Sequence, residues 1–333
     1  MMSNPAHQVQ PWPAVTLLVA SPLIGEFLLG NMAIDMLWML PLLCLLYGTG
    51  ALLVREFARR LGSGWPGILM LGLAYGIIEE SFVTQSLFDR NFLGLRLLDY
   101  GYLPAAGIGA WWSVFVLALH AIWSTGAAIN LSEALWPKHA GSLWLSSRGL
   151  AATMLAFALG CIGVAFASGA RAAASVAQLS AAAAIVILLC AATWFLGRRR
   201  ARVARAARRA PSAVTAGISA FTLLSLFMLT TWTMHSVSAI VNVGAMVGLL
   251  LALALLIHYW SHAAGWSPLH RLALTGGALL TYGWWSLLLP AMVTTSTPMV
   301  DTMGNMLFLG GALASIVLAW RRTVRGFRSS SVD

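Results

Sequence analysis

Long apolar runs separated by short polar or basic connections make up almost all of this chain. A membrane-spanning helix needs about 20 mostly apolar residues, and ten runs reach that length. They are Pro13–Leu29, Ala33–Val54, Trp65–Phe88, Gly107–Asn130, Gly149–Gly169, Ala174–Gly197, Ala213–Thr233, Val237–Trp260, Leu272–Leu289 and Met303–Trp320. The predicted fold class is therefore all-α, a polytopic transmembrane helical bundle of about ten spans. Composition agrees: of 333 residues 59% are hydrophobic and 9% charged, where a soluble domain carries about a quarter charged. The pattern divides into a four-span unit over residues 1–148, a two-span Ala-rich segment over 149–197, a basic linker over 198–211, and a four-span unit with a basic tail over 212–333.

The formal net charge is +10, but the positions of the arginines argue against a nucleic-acid partner. They gather between apolar runs: Arg55, Arg59 and Arg60, the stretch RRRARVARAARRA from Arg198, and Arg321, Arg322, Arg325 and Arg328. With both termini cytoplasmic all three groups fall on one side, as the positive-inside rule requires. Arg90, Arg96 and Arg171 fall on the other side, the first two accompanied by Asp89 and Asp99. The expected partner of the surface is the lipid bilayer, with anionic headgroups drawn to the basic segments. The opening MMSNPAHQVQPWPAV has no basic stretch before its first apolar run and reads as a retained tail. Cys44, Cys161 and Cys190 all lie in apolar runs without CxxC spacing, so they read as small hydrophobes rather than a disulfide or thiolate metal framework.

One feature breaks the apolar pattern. In GLAYGIIEESFVTQ, Glu79 and Glu80 stand in the middle of the third run. A charged side chain at mid-membrane costs roughly 2.5–3.5 kcal/mol on insertion scales, so such residues need partners or water and are functional candidates by default. Gly72, Gly76, Glu80 and Thr84 follow at intervals of four and share one helix face, whose small residues let another helix approach closely. Tyr75 lies one turn before Glu79 and offers a hydroxyl. The fourth run supplies His120, with Ser113 and Ser124 on about the same face. At 1.5 Å per residue Glu79 lies ~14 Å below Phe88, and His120 ~20 Å below Gly107, so consecutive antiparallel helices bring the three to similar depth. Two carboxylates close together in low dielectric cannot both be charged cheaply. A histidine beside them can move protons or hold an activated water.

These residues resemble the CAAX-protease and bacteriocin-processing family of intramembrane glutamate proteases. Its pattern is EExxxR, then FxxxH on a later helix, then HxxxN or HxxxD. Glu79 and Glu80 match the pair and His120 matches the histidine of the second motif. Thr84 stands where the arginine belongs and Val116 where the phenylalanine belongs, with Phe115 one place away. The third motif has no counterpart: His120 and Ser124 make HxxxS, and His235 precedes Asn242 by seven positions. The similarity covers roughly Trp65 to Asn130. It implies a peptidase that activates water with Glu79, Glu80 and His120 on a membrane-associated peptide substrate.

Other polar residues rank behind these three. Glu26 lies in the first run and could line the same cavity; Asp35 more simply ends its helix, and Glu133 reads as a snorkelling or loop residue. His235 and Asn242, near an outer turn, are second-tier candidates for completing the site. His258 and His262 are four apart, a spacing that can present two nitrogens to a metal, but no carboxylate lies near them in sequence and they read as interfacial. No cofactor is required by the sequence, and a divalent metal would need a fourth ligand beyond Glu79, Glu80 and His120. Two readings compete with hydrolysis: a proton-coupled transporter with Glu79 and Glu80 as proton carriers, and a non-catalytic membrane scaffold in which the cluster serves packing.

Overall fold

The computed structural model describes residues 11–169, 173–198, 206–234, 236–289 and 291–329. It is an all-α bundle. Nine helices among the described residues are long and apolar enough to cross a membrane, and a tenth, shorter and richer in polar groups, is packed among them. In chain order they are α1 Pro11–Leu28, α2 Ile34–Leu61, α3 Gly64–Val83, α4 Ala110–Leu135, α5 Ser147–Ala167, α6 Val176–Arg198, α7 Ala213–Thr233 and α8 Ala239–Ser261. The last two are α9 Pro268–Trp285 and α10 Pro298–Ser329. The arginine-bearing ends of α2, α6, α9 and α10 belong to one face of the bundle, hereafter the basic end.

Several boundaries depart from the hydropathy pattern, among them those of α9 and α10, which are Pro268–Trp285 against the expected Leu272–Leu289 and Pro298–Ser329 against Met303–Trp320. Helix α2 runs seven residues past Val54 because Arg55 and Glu56 are paired inside the protein. Helix α3 stops at Val83 rather than Phe88, since Gln85 takes a left-handed conformation (φ 56°) that an α-helix cannot continue through. Helix α4 starts at Ala110 and continues to Leu135. The outer ends of α3 and α4 are thus staggered, and the segment between them folds back as turns and a small hairpin, Tyr102–Leu103 against Ile108–Gly109. There Asp99 accepts from Arg96 at 2.5 Å and Arg90 at 3.3 Å, and the Arg96 hydrogen bond holds its carboxyl below the usual range.

Helix α4 lies at the centre: 78% of its most apolar stretch is buried, against 11% for α5 and for α6, which line the outside. Trp123 stacks on Tyr282 of α9 with centroids 4.4 Å apart and donates its indole N–H to the Ala278 carbonyl at 2.7 Å. Asn130 donates to Thr275 at 2.8 Å. Apolar side chains gain little by leaving lipid, so close packing through small residues has to hold such helices together. The GxxxG face of α3 does this against α4. A Cβ on Gly76 would lie 2.9 Å from the His120 Cβ, and one on Gly72 would overlap the Thr125 hydroxyl. Gly76→Ala is therefore expected to push the two helices apart, at a cost of about 1–3 kcal/mol, visible as a lowered thermal midpoint in detergent.

Each of the first four helices also contains one wide turn with hydrogen bonds between residues five apart: Leu23–Leu28 in α1, Cys44–Gly48 in α2, Glu79–Val83 in α3 and Leu119–Ala127 in α4. Such π-type turns are rare and concentrate at functional sites.

Candidate functional site

The wide turns converge on one cluster. Glu26 comes from that of α1, Tyr47 from α2, Glu79 and Glu80 from α3, and His120 from α4. A wider turn reduces the angle between neighbouring side chains, which lets Glu79 and Glu80 both point inward instead of diverging as on a regular α-helix. All three of Glu79, Glu80 and His120 are buried, at 2%, 6% and 4% exposure, so their polar atoms depend on neighbouring side chains.

Glu80 is fully engaged. Its Oε1 lies 2.7 Å from His120 Nε2, and its Oε2 accepts from the Thr84 hydroxyl at 2.8 Å and from the Ser86 hydroxyl. Ser86 in turn accepts the Trp112 indole N–H at 3.0 Å. The turn at Gln85 brings Ser86 back over the end of α3, and it is pinned where Gln85 Oε1 accepts the backbone N–H groups of Ala173 and Ala174 at 2.8 and 3.0 Å. Glu80 thereby fixes the imbalance of the imidazole: with Nε2–H donating to Glu80, Nδ1 is left facing Glu79.

On that second side the groups meet at ion-pair distance without a close hydrogen bond. His120 Nδ1 is 3.5 Å from Glu79 Oε2, and these two atoms and the Tyr75 hydroxyl are buried without a hydrogen-bond partner. Tyr75 stands edge-on to the imidazole, with centroids 5.6 Å apart, and Tyr47 stacks on it at 5.8 Å. Tyr47 also donates its hydroxyl to Glu26, whose other oxygen accepts from Asn31 at 2.5 Å. Glu79, Glu80 and His120 offer three ligand atoms within 4.8 Å of one another. Carboxylate oxygen and imidazole nitrogen form a donor set suited to a divalent transition metal, with Glu26 the next carboxylate in the cluster.

Of the supporting residues expected from the sequence, Tyr75 and Thr84 belong to the cluster and Glu26 joins it through Tyr47. Ser113 does not: its hydroxyl donates to the Gly109 carbonyl at 2.8 Å, within its own first turn. Ser124 packs instead against Gly25, and its carbonyl accepts from Ser21 at 2.6 Å. Asn242 is also outside the site, because its amide closes the end of α7 by donating to the Thr230 carbonyl at 2.8 Å and to Thr233 at 2.9 Å. His235 lies outside the described residues. His258 is exposed and His262 half-buried at the end of α8, where a ring nitrogen of His262 meets the His258 carbonyl at 2.6 Å. Glu133 is neither snorkelling nor in a loop: it is buried in ion pairs with Arg55 and Arg59. Sequence reasoning missed Asn31, Tyr47 and Ser86.

A family model described as an uncharacterized membrane protein family matches residues 15–320, and the chain belongs to that family. No curated protein and no solved structure matches it. The family description establishes a membrane protein and carries no activity, so the functional reading starts from the geometry of α1 to α4.

Proposed function

We propose that the protein is a membrane-embedded hydrolase that cleaves peptide bonds with a glutamate-activated water. The observation that carries this reading is the pairing of two unsatisfied buried atoms, Glu79 Oε2 and His120 Nδ1, 3.5 Å apart, on an imidazole whose far side is fixed by Glu80. Glu80 holds the imidazole through a hydrogen bond at 2.7 Å, whereas Glu79 meets it only as a looser ion pair at 3.5 Å. Here one carboxylate positions and the other is left to act. This asymmetry also favours hydrolysis over a packing role.

In this mechanism a water held between Glu79 and Nδ1 gives its proton to Glu79 as its oxygen bonds to the carbonyl carbon. The Tyr75 hydroxyl donates to the oxyanion that forms. Collapse breaks the C–N bond, and the proton on Glu79 passes to the leaving amine. His120 holds the attacking oxygen in line throughout. Substrate reaches the closed site laterally, past α5. That helix is attached lightly: Gly160 is its one buried residue among those described, set against the Leu45 backbone, and Phe157 covers Tyr75 at 6.0 Å. Both termini and the basic end face the cytoplasm in this reading, in line with the arginine distribution.

The test is to reconstitute the protein with membrane-associated peptides in water enriched in heavy oxygen. Products should carry one heavy oxygen at each new carboxyl terminus. Absence of products, or equal yield from the combined Glu79→Ala, Glu80→Ala and His120→Ala variant, would overturn the reading.

A further inference from the structure

At the basic end, the last turns of α4 and α10 and the start of α9 surround a cavity of about 740 Å³. Lys138, Arg271, Arg322 and Arg325 line it, and its only acid among the described residues is Glu133. Glu133 is hydrogen-bonded to two arginines that do not line the cavity. Its Oε1 takes Arg55 Nε at 3.0 Å, and Arg59 Nη2 reaches both of its oxygens at 2.6 Å.

Two of the cations are positioned rather than loose. Arg322 donates to the Leu135 carbonyl at 2.8 Å and rests 5.1 Å over the Trp136 ring. Arg271 has a buried Nε with no hydrogen-bond partner. It also stands in the first turn of α9, where the helix dipole places partial positive charge and a cation is disfavoured. An anion in the cavity would relieve both costs. The volume falls within the roughly 300–1,000 Å³ of small-molecule sites and leaves room for more than the anion itself, and Leu135, Trp136 and Pro268 give it an apolar wall.

We propose that this cavity binds a phosphate ester, with the phosphate held by the Arg271 and Arg325 guanidinium groups and the ester carbons against Trp136 and Pro268. Guanidinium forks match phosphate oxygens in pairs. Because the cavity opens at the charged end of a membrane bundle, the headgroup of an anionic phospholipid is the natural source. A soluble phosphate ester would use the same contacts. This inference is independent of the hydrolytic reading.

The experiment titrates delipidated full-length protein in detergent with phosphatidylglycerol, phosphatidylcholine or glycerol phosphate, reading bound ligand and the thermal midpoint. Wild type should bind phosphatidylglycerol at least about tenfold more tightly than an Arg271→Gln/Arg325→Gln variant, the effect of losing one charge-assisted hydrogen bond or more. Lys138→Glu, in an exposed position, should weaken binding in the same direction without disturbing the fold. Arg321→Gln, outside the cavity, should leave binding unchanged. Binding of glycerol phosphate by wild type but not by the double variant would support the site and assign it a soluble ester. Equal binding by wild type, the double variant and Lys138→Glu would overturn the proposal, as would phosphatidylcholine binding as tightly as phosphatidylglycerol.

Discussion

Glu79→Gln is expected to lower the rate of peptide hydrolysis by about 10²- to 10⁴-fold, the contribution typical of a positioned general base, without loss of fold. Glutamine keeps the size of the side chain but cannot take a proton from water. Glu79 Oε2 has no hydrogen-bond partner, so the exchange gives up only its 3.5 Å ion contact with His120 Nδ1. The effect should fall on kcat with KM little changed, since the lost interaction is made in the transition state. Glu80→Gln should behave differently. Its carboxylate faces His120, Thr84 and Ser86 at once, and an amide N–H₂ turned toward any of these opposes a donor. Activity and thermal midpoint should then fall together. Ser86→Ala removes one of Glu80's three partners and should cost less than either glutamine exchange. Initial rates with one peptide, alongside thermal unfolding in detergent, separate the three variants. Full activity in Glu79→Gln would mean that the proton of water goes elsewhere.

The part of this site legible in sequence was the part that costs energy to place. Two adjacent carboxylates and a histidine in apolar runs demand partners, and the GxxxG face of α3 told which way Glu80 points. What could not be read depends on the wide turns. Ser124 shares a face with His120 only if every step is 100°, and the wide turn Leu119–Ala127 breaks that count, while Ser113 lies before it, two turns above His120, with its hydroxyl on the Gly109 carbonyl. Tyr47 sits in an apolar run where a tyrosine raises no question, and it faces Glu26 across two helices. Ser86 lies beyond the helix, brought back by a left-handed Gln85 where no glycine or asparagine marks the turn. The number of spans was legible for the ordinary reason that lipid demands long apolar helices. Their ends were not, because polar residues paired inside the protein extend a helix that hydropathy would stop.

Arg55 is the clearest case, and Arg55→Ala is expected to destabilise the protein by about 3–5 kcal/mol, the usual cost of removing one partner of a buried ion pair. In the sequence it looks like one of three arginines in a cytoplasmic loop. In the structure it is 0% exposed, and every side of its guanidinium is used. Nε donates to Glu133 at 3.0 Å and Nη1 to Glu56 at 2.9 Å. Nη2 donates to the Ala140 and Ser142 carbonyls, both at 3.0 Å, and the Trp144 ring lies 3.3 Å away. Alanine would leave Glu56, itself 0% exposed, with the Trp144 and Leu145 backbone N–H groups at 2.9 and 3.4 Å and, as its one cation, the more distant Arg60 at 3.6 Å. It would also free the turn that joins α4 to α5. Arg55→Lys should recover less than half of the loss, because one ammonium cannot span two carboxylates, two carbonyls and a ring. Arg60→Ala, at a partly exposed pair, should cost no more than about 1 kcal/mol. Unfolding in detergent measures all three, and limited proteolysis at Lys138 reports the loosened turn. If Arg55→Ala and Arg60→Ala were equally mild, Arg55 would be a topological charge like its neighbours, and the order of the α4–α5 turn would have to come from Trp144 and from Glu56, which accepts the Trp144 and Leu145 backbone N–H groups.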